Sequence, residues 1–352
     1  MVGVAHGDDD RSSDQQNAFV QTNLVSNRSD VGAGVVDPNL KNPWGVSAAL
    51  GGALWVSANG TSAATLYNLA NDKPMVQGLV VKPQDNPNDW APTGQVFNDN
   101  SMLFRFRGST GLPVSAVFIF ASEDGRIVAW NPAANGSNGG AIANTVISTP
   151  NAVYKGLALG NTGAGTFLFA TNFHAGTVDV FDSGFKLMPD LRLVDRNIPS
   201  GFAPFGIANI DGLLFVTYAK QDAAKHDDVA GPGNGFVDVF NPNGQLVRRL
   251  VSRGPLNSPW AVVRAPLDFG KFSGAFLVGN FGDGKINAFD NNGSFLGALR
   301  RTNGQPIAIN GLWALIFGRF QGADADDLYF TAGINNEKDG LIGEISVATR
   351  KH

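Results

Sequence analysis

The chain has 352 residues, of which 43% are apolar and only 16% charged, with 44 glycines, 25 phenylalanines and no cysteine. A net charge of −4 with no stripe of Lys and Arg excludes a nucleic-acid footprint, and the lack of cysteine excludes disulfides, thiolate chemistry and Cys-ligated metal. No apolar run reaches the roughly 18 residues of a membrane helix, while glycine at about twice its common usage suits short strands joined by tight turns.

Residues 1–17 are polar and read as a disordered tail. AFVQTNLVS (18–26) is a strand with no partner nearby in sequence. A pattern then begins that recurs to the end of the chain. Its first element is PWGVS (43–47), its second the nearly continuous apolar run ALWVSA (53–58), its third SAATLYN (62–68) and its fourth MVQGLVV (75–81). The second unit reads TGQVF (93–97), AVFIFAS (116–122), GRIVAWN (125–131) and NTVISTP (144–150). The third reads YKGLAL (154–159), TFLFATN (166–172) and GTVDVFD (176–182). The fourth reads PFGIA (204–208), LLFVTYA (213–219), GFVDVFN (235–241) and QLVRRLV (245–251). The fifth reads PWAVV (259–263), AFLVGN (275–280), GKINAFD (284–290) and SFLGALR (294–300), and the sixth LWALI (312–316), DLYFTAG (327–333) and GLIGEI (340–345).

The third elements alternate apolar and polar residues, the period of a half-buried strand. Most end in an aromatic residue followed by Asn or Asp, whose side chains start turns. The second elements are apolar throughout, as in strands covered on both faces. Repeats of this length, built from antiparallel strands, predict an all-β fold: a six-bladed β-propeller with four strands per blade. The sixth unit lacks a fourth strand. Strand 18–26 is expected to supply it, closing the ring and removing an open edge. One domain over 18–348 and a short tail over 349–352 complete the organisation.

The segments NPWGVS (42–47), FIFASEDGRIVAWNP (118–132), ATNFHAGTVDVFD (170–182) and LYFTAGINNEKDGLIGEI (328–345) resemble an uncharacterised bacterial family of six-bladed propellers, of the NHL and sugar-lactonase-like kind, known from species with the PEP-CTERM sorting system. The resemblance implies an exported protein, secreted or periplasmic, whose signal peptide is not part of this sequence. It implies no activity. The chain carries no Pro-Glu-Pro motif, so surface anchoring is not implied.

In such blades the loops leading into the first strand and those joining the second to the third share the channel face, where ligands of concave scaffolds bind. Those loops place Asn59, Glu123, Asp124, Asn172, His174, Lys220, His226, Asn280, Asp283, Asn335 and Glu337 there as candidate binding residues. Glu123, Asn172, Asn280 and Asp283 offer oxygens suited to a hard divalent cation such as Ca²⁺. Asn172 and Asn280 each precede a Phe, and are equally read as turn caps. His174 and His226 are too few for a three-His zinc site. Trp44, Trp260 and Trp313 recur at one position and read as packing between neighbouring blades. The GADADDL stretch (322–328) lacks EF-hand spacing and reads as an acidic turn. Two functions remain open: a binding or interaction module for a small polar ligand or protein partner, and a metal-dependent hydrolase of sugar-lactonase type working in the channel.

Overall fold

The computed structural model describes residues 18–69 and 74–348; the expected tails 1–17 and 349–352 lie outside the described residues. Strand β1 (Phe19–Ser26) is followed by the two-residue β2 (Val35–Val36). Unit one comprises β3 (Pro43–Ser47), β4 (Leu54–Ala58), β5 (Ala63–Asn68) and β6 (Met75–Pro83). Unit two comprises β7 (Pro92–Phe97), a hairpin of β8 (Arg105–Arg107) and β9 (Pro113–Ser115), then β10 (Phe118–Ser122), β11 (Arg126–Trp130) and β12 (Ile142–Ser148). Unit three has β13 (Tyr154–Thr162), β14 (Gly165–Asn172) and β15 (Thr177–Phe181). Unit four has β16 (Phe202–Ile210), β17 (Leu213–Lys220), β18 (Phe236–Phe240) and β19 (Leu246–Ser252). Unit five has β20 (Pro259–Arg264), β21 (Phe276–Asn280), β22 (Ile286–Phe289) and β23 (Phe295–Ala298), and unit six β24 (Leu312–Phe317), β25 (Leu328–Ala332) and β26 (Leu341–Val347).

Within each unit the strands pair antiparallel in chain order. The first strands β3, β7, β13, β16, β20 and β24 contact one another in that sequence, and β24 returns to β3. This is a β-propeller. The orphan strand finds its expected place: β1 pairs antiparallel with β26, from Phe19 opposite Val347 to Ser26 opposite Leu341. Units one and two are further joined at their outer edges by a short parallel pairing of β6 with β12.

Turn chemistry follows the sequence. Gly176 and Gly284, which open the third strands of units three and five, have φ of 72° and 68°, a region that disfavours side chains with a Cβ. Asp182 and Asp290, which follow those strands, accept backbone N–H groups two and four residues on.

Two features were not legible in the pattern. Every first strand carries a register shift near its start, as between Tyr154 and Leu157 or Leu312 and Leu315, and such bulges re-aim a side chain. A buried Thr on the second strand then stitches units together. The Thr171 hydroxyl accepts from Gly156 N–H at 2.7 Å and donates to Phe205 O of unit four at 2.9 Å. Thr331 accepts from Ala314 N–H and donates to Trp44 O at 2.6 Å, tying unit six to unit one.

Candidate functional site

The first residue in each bulge is Trp44, Thr93, Lys155, Phe205, Trp260 or Trp313. Four of these aromatic rings meet across the units. Trp44 stacks on Trp313 with centroids 3.4 Å apart, Trp260 stands edge-on to both, and Phe205 lies 5.9 Å from Trp313. The tryptophans therefore do more than pack between neighbouring units: they plug the middle of the ring together. Phe173 and Phe281, the Phe of the two Asn-Phe repeats, join the plug against Phe205 and Trp313.

Lys155 is the exception in this column. Its side chain is 1% exposed, and its Nζ lies 4.9 Å from the Trp44 ring centroid, a cation–π arrangement. The ammonium donates to Glu123 Oε1 at 2.5 Å and to Asp227 Oδ1 at 3.3 Å. Burial opposes its charge, but Glu123 and Asp227 outweigh that and hold the ammonium above its ordinary value. Asp227 in turn is held below its ordinary value, because Lys155 and His226 outweigh the effect of burial.

A hydrogen-bonded chain runs outward from the plug. Trp313 Nε1 donates to Asn42 Oδ1 at 3.0 Å. Asn42 Nδ2 donates to Glu337 Oε2 at 2.8 Å and to Asn59 Oδ1 at 3.5 Å. Asn59 Nδ2 donates to Glu123 Oε2 at 2.9 Å, and His226 Nδ1 lies 3.0 Å from Asp227 Oδ1. Asn42 and Glu337 both have left-handed backbone, at φ of 43° and 63°, a cost that tends to persist at functional sites. Burial pushes the carboxyls of Glu337 and Asp228 above their ordinary values. The indole N–H groups of Trp44 and Trp260 are buried with no partner among the described residues.

Of the residues expected from sequence, the structure gathers Asn59, Glu123, His226 and Glu337 into this one network. Asp124 is turned to Ser122 and Arg126. Asn335 donates to Asp339, His174 is half-buried and Lys220 is exposed. The four residues expected to share a cation do not form one group of hydrogen-bonding partners. Asn172 Nδ2 donates to Asp179, while its Oδ1 accepts from Ala175 N–H. Asn280 Nδ2 donates to Pro255 O and Asp283 Oδ1, and Asp283 also pairs with Lys285. The acidic and imidazole groups that do lie together are Glu123, His226 and Asp227, with ligand atoms within 4.8 Å of one another. Sequence reading missed Lys155 and Asn42. Lys155 did leave a signal: it is the one charged residue in a column otherwise aromatic or Thr.

Fold and site together describe a β-propeller with a plugged centre and an acidic, lysine-bearing hydrogen-bond network beside the plug. No known protein-family description matches the chain. It is 35% identical over 327 residues to an uncharacterized protein of Acanthamoeba polyphaga mimivirus, covering 92% of this chain and 78% of the relative. It is 34% identical over 328 residues to another from the same virus, covering 92% and 84%. The chain belongs to the family of these uncharacterized proteins. These relatives are viral, not the bacterial PEP-CTERM propellers that the motifs resemble. Among solved structures, the soluble aldose sugar dehydrogenase of Escherichia coli is similar at a TM-score of 0.54 and 12% identity, over 94% of this chain and all of that one. A virginiamycin B lyase from Staphylococcus aureus with quinupristin is similar at 0.52 and 13%, over 93% and 98%. At such identities the likeness is one of fold. No helix among the described residues is long and apolar enough to cross a membrane.

Proposed function

We propose that the protein is a binding module that takes a small polar ligand on the channel face of a six-bladed propeller, above the aromatic plug. The observation that carries this reading is Lys155, fully buried and pinned between Glu123 and Asp227 over Trp44. An ammonium held protonated is neither a nucleophile nor a base, so its service is electrostatic. The carboxylates of Glu123, Asp227, Asp228 and Glu337 outnumber it and offer acceptors. That balance suits a ligand rich in hydroxyl or amino groups. The ring of six contacting first strands supports the blade count. Export is proposed with it, on the family resemblance of the motifs alone. The dehydrogenase and lyase activities of the fold neighbours are not carried over.

A second reading, a divalent cation serving a hydrolase, is favoured by one observation: the grouping of Glu123, His226 and Asp227. Lys155 already touches two of these three carboxylate and imidazole bearers' acids, Glu123 and Asp227, and competes for the same charge.

The test is a thermal-shift panel of monosaccharides, amino sugars, polyamines and Ca²⁺, followed by calorimetry on every hit. A ligand of the native state raises the melting temperature with concentration. We expect an organic hit that Asp227→Asn and Glu337→Gln both weaken while leaving the unliganded melting temperature near that of the parent. Stabilisation by Ca²⁺ alone, lost in His226→Ala, selects the second reading. Hits indifferent to all three substitutions, or no hit, defeat both.

A further inference from the structure

Unit three ends at β15, and the described residues 182–201 run beside it without forming a fourth strand. Among the described residues the Met188 N–H bond to Val180 O at 2.8 Å, the Asp182 N–H bond to Lys186 O at 2.9 Å and an isolated bridge between Phe181 and Leu187 tie this segment to the edge. A cavity of about 510 Å³ lies between β15, the segment and unit four, a size within the range of small-molecule sites. Val178, Val180, Met188, Leu191 and Phe202 give it apolar walls.

Its polar lining includes Asp195 and Tyr218, the first with a side chain only 3% exposed. Arg249 pairs with Asp195 and with Asp238, whose side chain is fully buried. The charge of Asp238 also lies against Tyr218. Two carboxylates thus share one guanidinium, and Asp238 Oδ2 is buried with no hydrogen-bond partner among the described residues. A surplus buried charge is costly until a proton or a cation matches it. Burial pushes the Asp238 carboxyl up to about 7.

We propose that this cleft binds a small molecule with an apolar body and one ammonium group, the body lying along Val178, Val180 and Met188 and the ammonium beside Asp195 and Tyr218. The site lies at the side of the ring, apart from the Lys155 network, and its ligand is independent of the one proposed there.

Calorimetry with phenylbutylamine and with phenylbutanol tests the proposal, since the two share a body and differ in charge. The amine should bind on the order of tenfold tighter or more, as one charge pair in a partly buried setting implies. Asp195→Asn keeps the shape and removes one negative charge; it should bring the two affinities together. Met188→Trp narrows the cleft and should abolish both, with Leu187→Trp as the second blocking variant should the first not fold. Equal affinities in the parent protein overturn the proposal. So does an amine preference that survives Asp195→Asn, binding that survives the folded blocking variant, or binding of neither probe.

Discussion

Units three and five share one pattern from the end of the second strand through the third, TNFHAGTVDVFD (171–182) and GNFGDGKINAFD (279–290), yet only one of them carries the candidate chemistry. The shared residues do the same structural task in both. Asn172 ties its amide to a carboxylate of the following strand and Asn280 to one in the turn, and Phe173 and Phe281 fill the centre of the ring. The differences are where charge and space appear. In the first strand, unit five has Trp260 and unit three has Lys155. At the outer edge, unit five has β23 and unit three has a cleft. Repetition in this chain marks geometry, and departure from repetition marks candidate sites.

The largest expected effect comes from breaking the departure. Lys155→Met leaves Glu123 without its buried counter-charge, and removing one partner of a buried pair costs about 3–5 kcal/mol; the lower end applies, because Asp227 is 67% exposed. Denaturant unfolding measures it. Lys285→Met in unit five, which removes a half-exposed pair with Asp283, should cost no more than about 1 kcal/mol. Equal losses would mean that Lys155 is an ordinary ion-pair residue.

A loss of about 1–3 kcal/mol is expected for Thr331→Val, which leaves Ala314 N–H buried without its acceptor. Thr171→Val in unit three should match it, since its hydroxyl makes the same pair of bonds. A large excess at Thr331, with aggregation, would show that the join of unit six to unit one is a weak point of the ring.

Asn172→Asp and Asn280→Asp sharpen the reading of the shared turn. Each places a carboxylate against the acid that the amide now serves, Asp179 or Asp283, and each should cost about 1–2 kcal/mol by losing a donor and adding like charge. Asn241→Asp, at an exposed turn where Oδ1 accepts from Gln245 N–H, should stay within about 0.5 kcal/mol. Urea midpoints compare the three. Tolerance at Asn172 and Asn280 with altered ligand binding would return both residues to the binding site.

A further effect is a slope with pH. Asp238 titrates at about 7 in the fold, raised by burial, and near its ordinary value when unfolded. Between those values the folded state holds a proton that the unfolded chain has released, so stability falls as pH rises through the window. Asp228 and Glu337, also raised by burial, contribute slope of the same sign. Asp195, held low by Asn197 N–H and Arg249 against its burial, acts only below the window. Melting temperatures measured from about pH 5 to about pH 8 should decline less in Asp238→Asn than in the parent protein. An unchanged slope would remove the surplus charge from the cleft of unit three.

The sequence by itself determined the strands, the turns and the closing strand 18–26, because alternation along a strand and Asn, Asp or Gly in a turn act over a few residues. It also located the loops holding Asn59, Glu123, His226 and Glu337, since loop order in a blade follows strand order. Tertiary structure decided the rest. Asn42 and Glu337 stand 295 residues apart and meet only because the ring closes. Lys155 lies in an apolar run, YKGLAL (154–159), and reaches the network only because a bulge re-aims it and Trp44 of another unit lies beside its ammonium. Asp195 and Asp238 share Arg249 only because unit four packs against unit three. Local patterns specify local geometry, whereas a site assembled from several units depends on long-range contacts that no window of sequence contains.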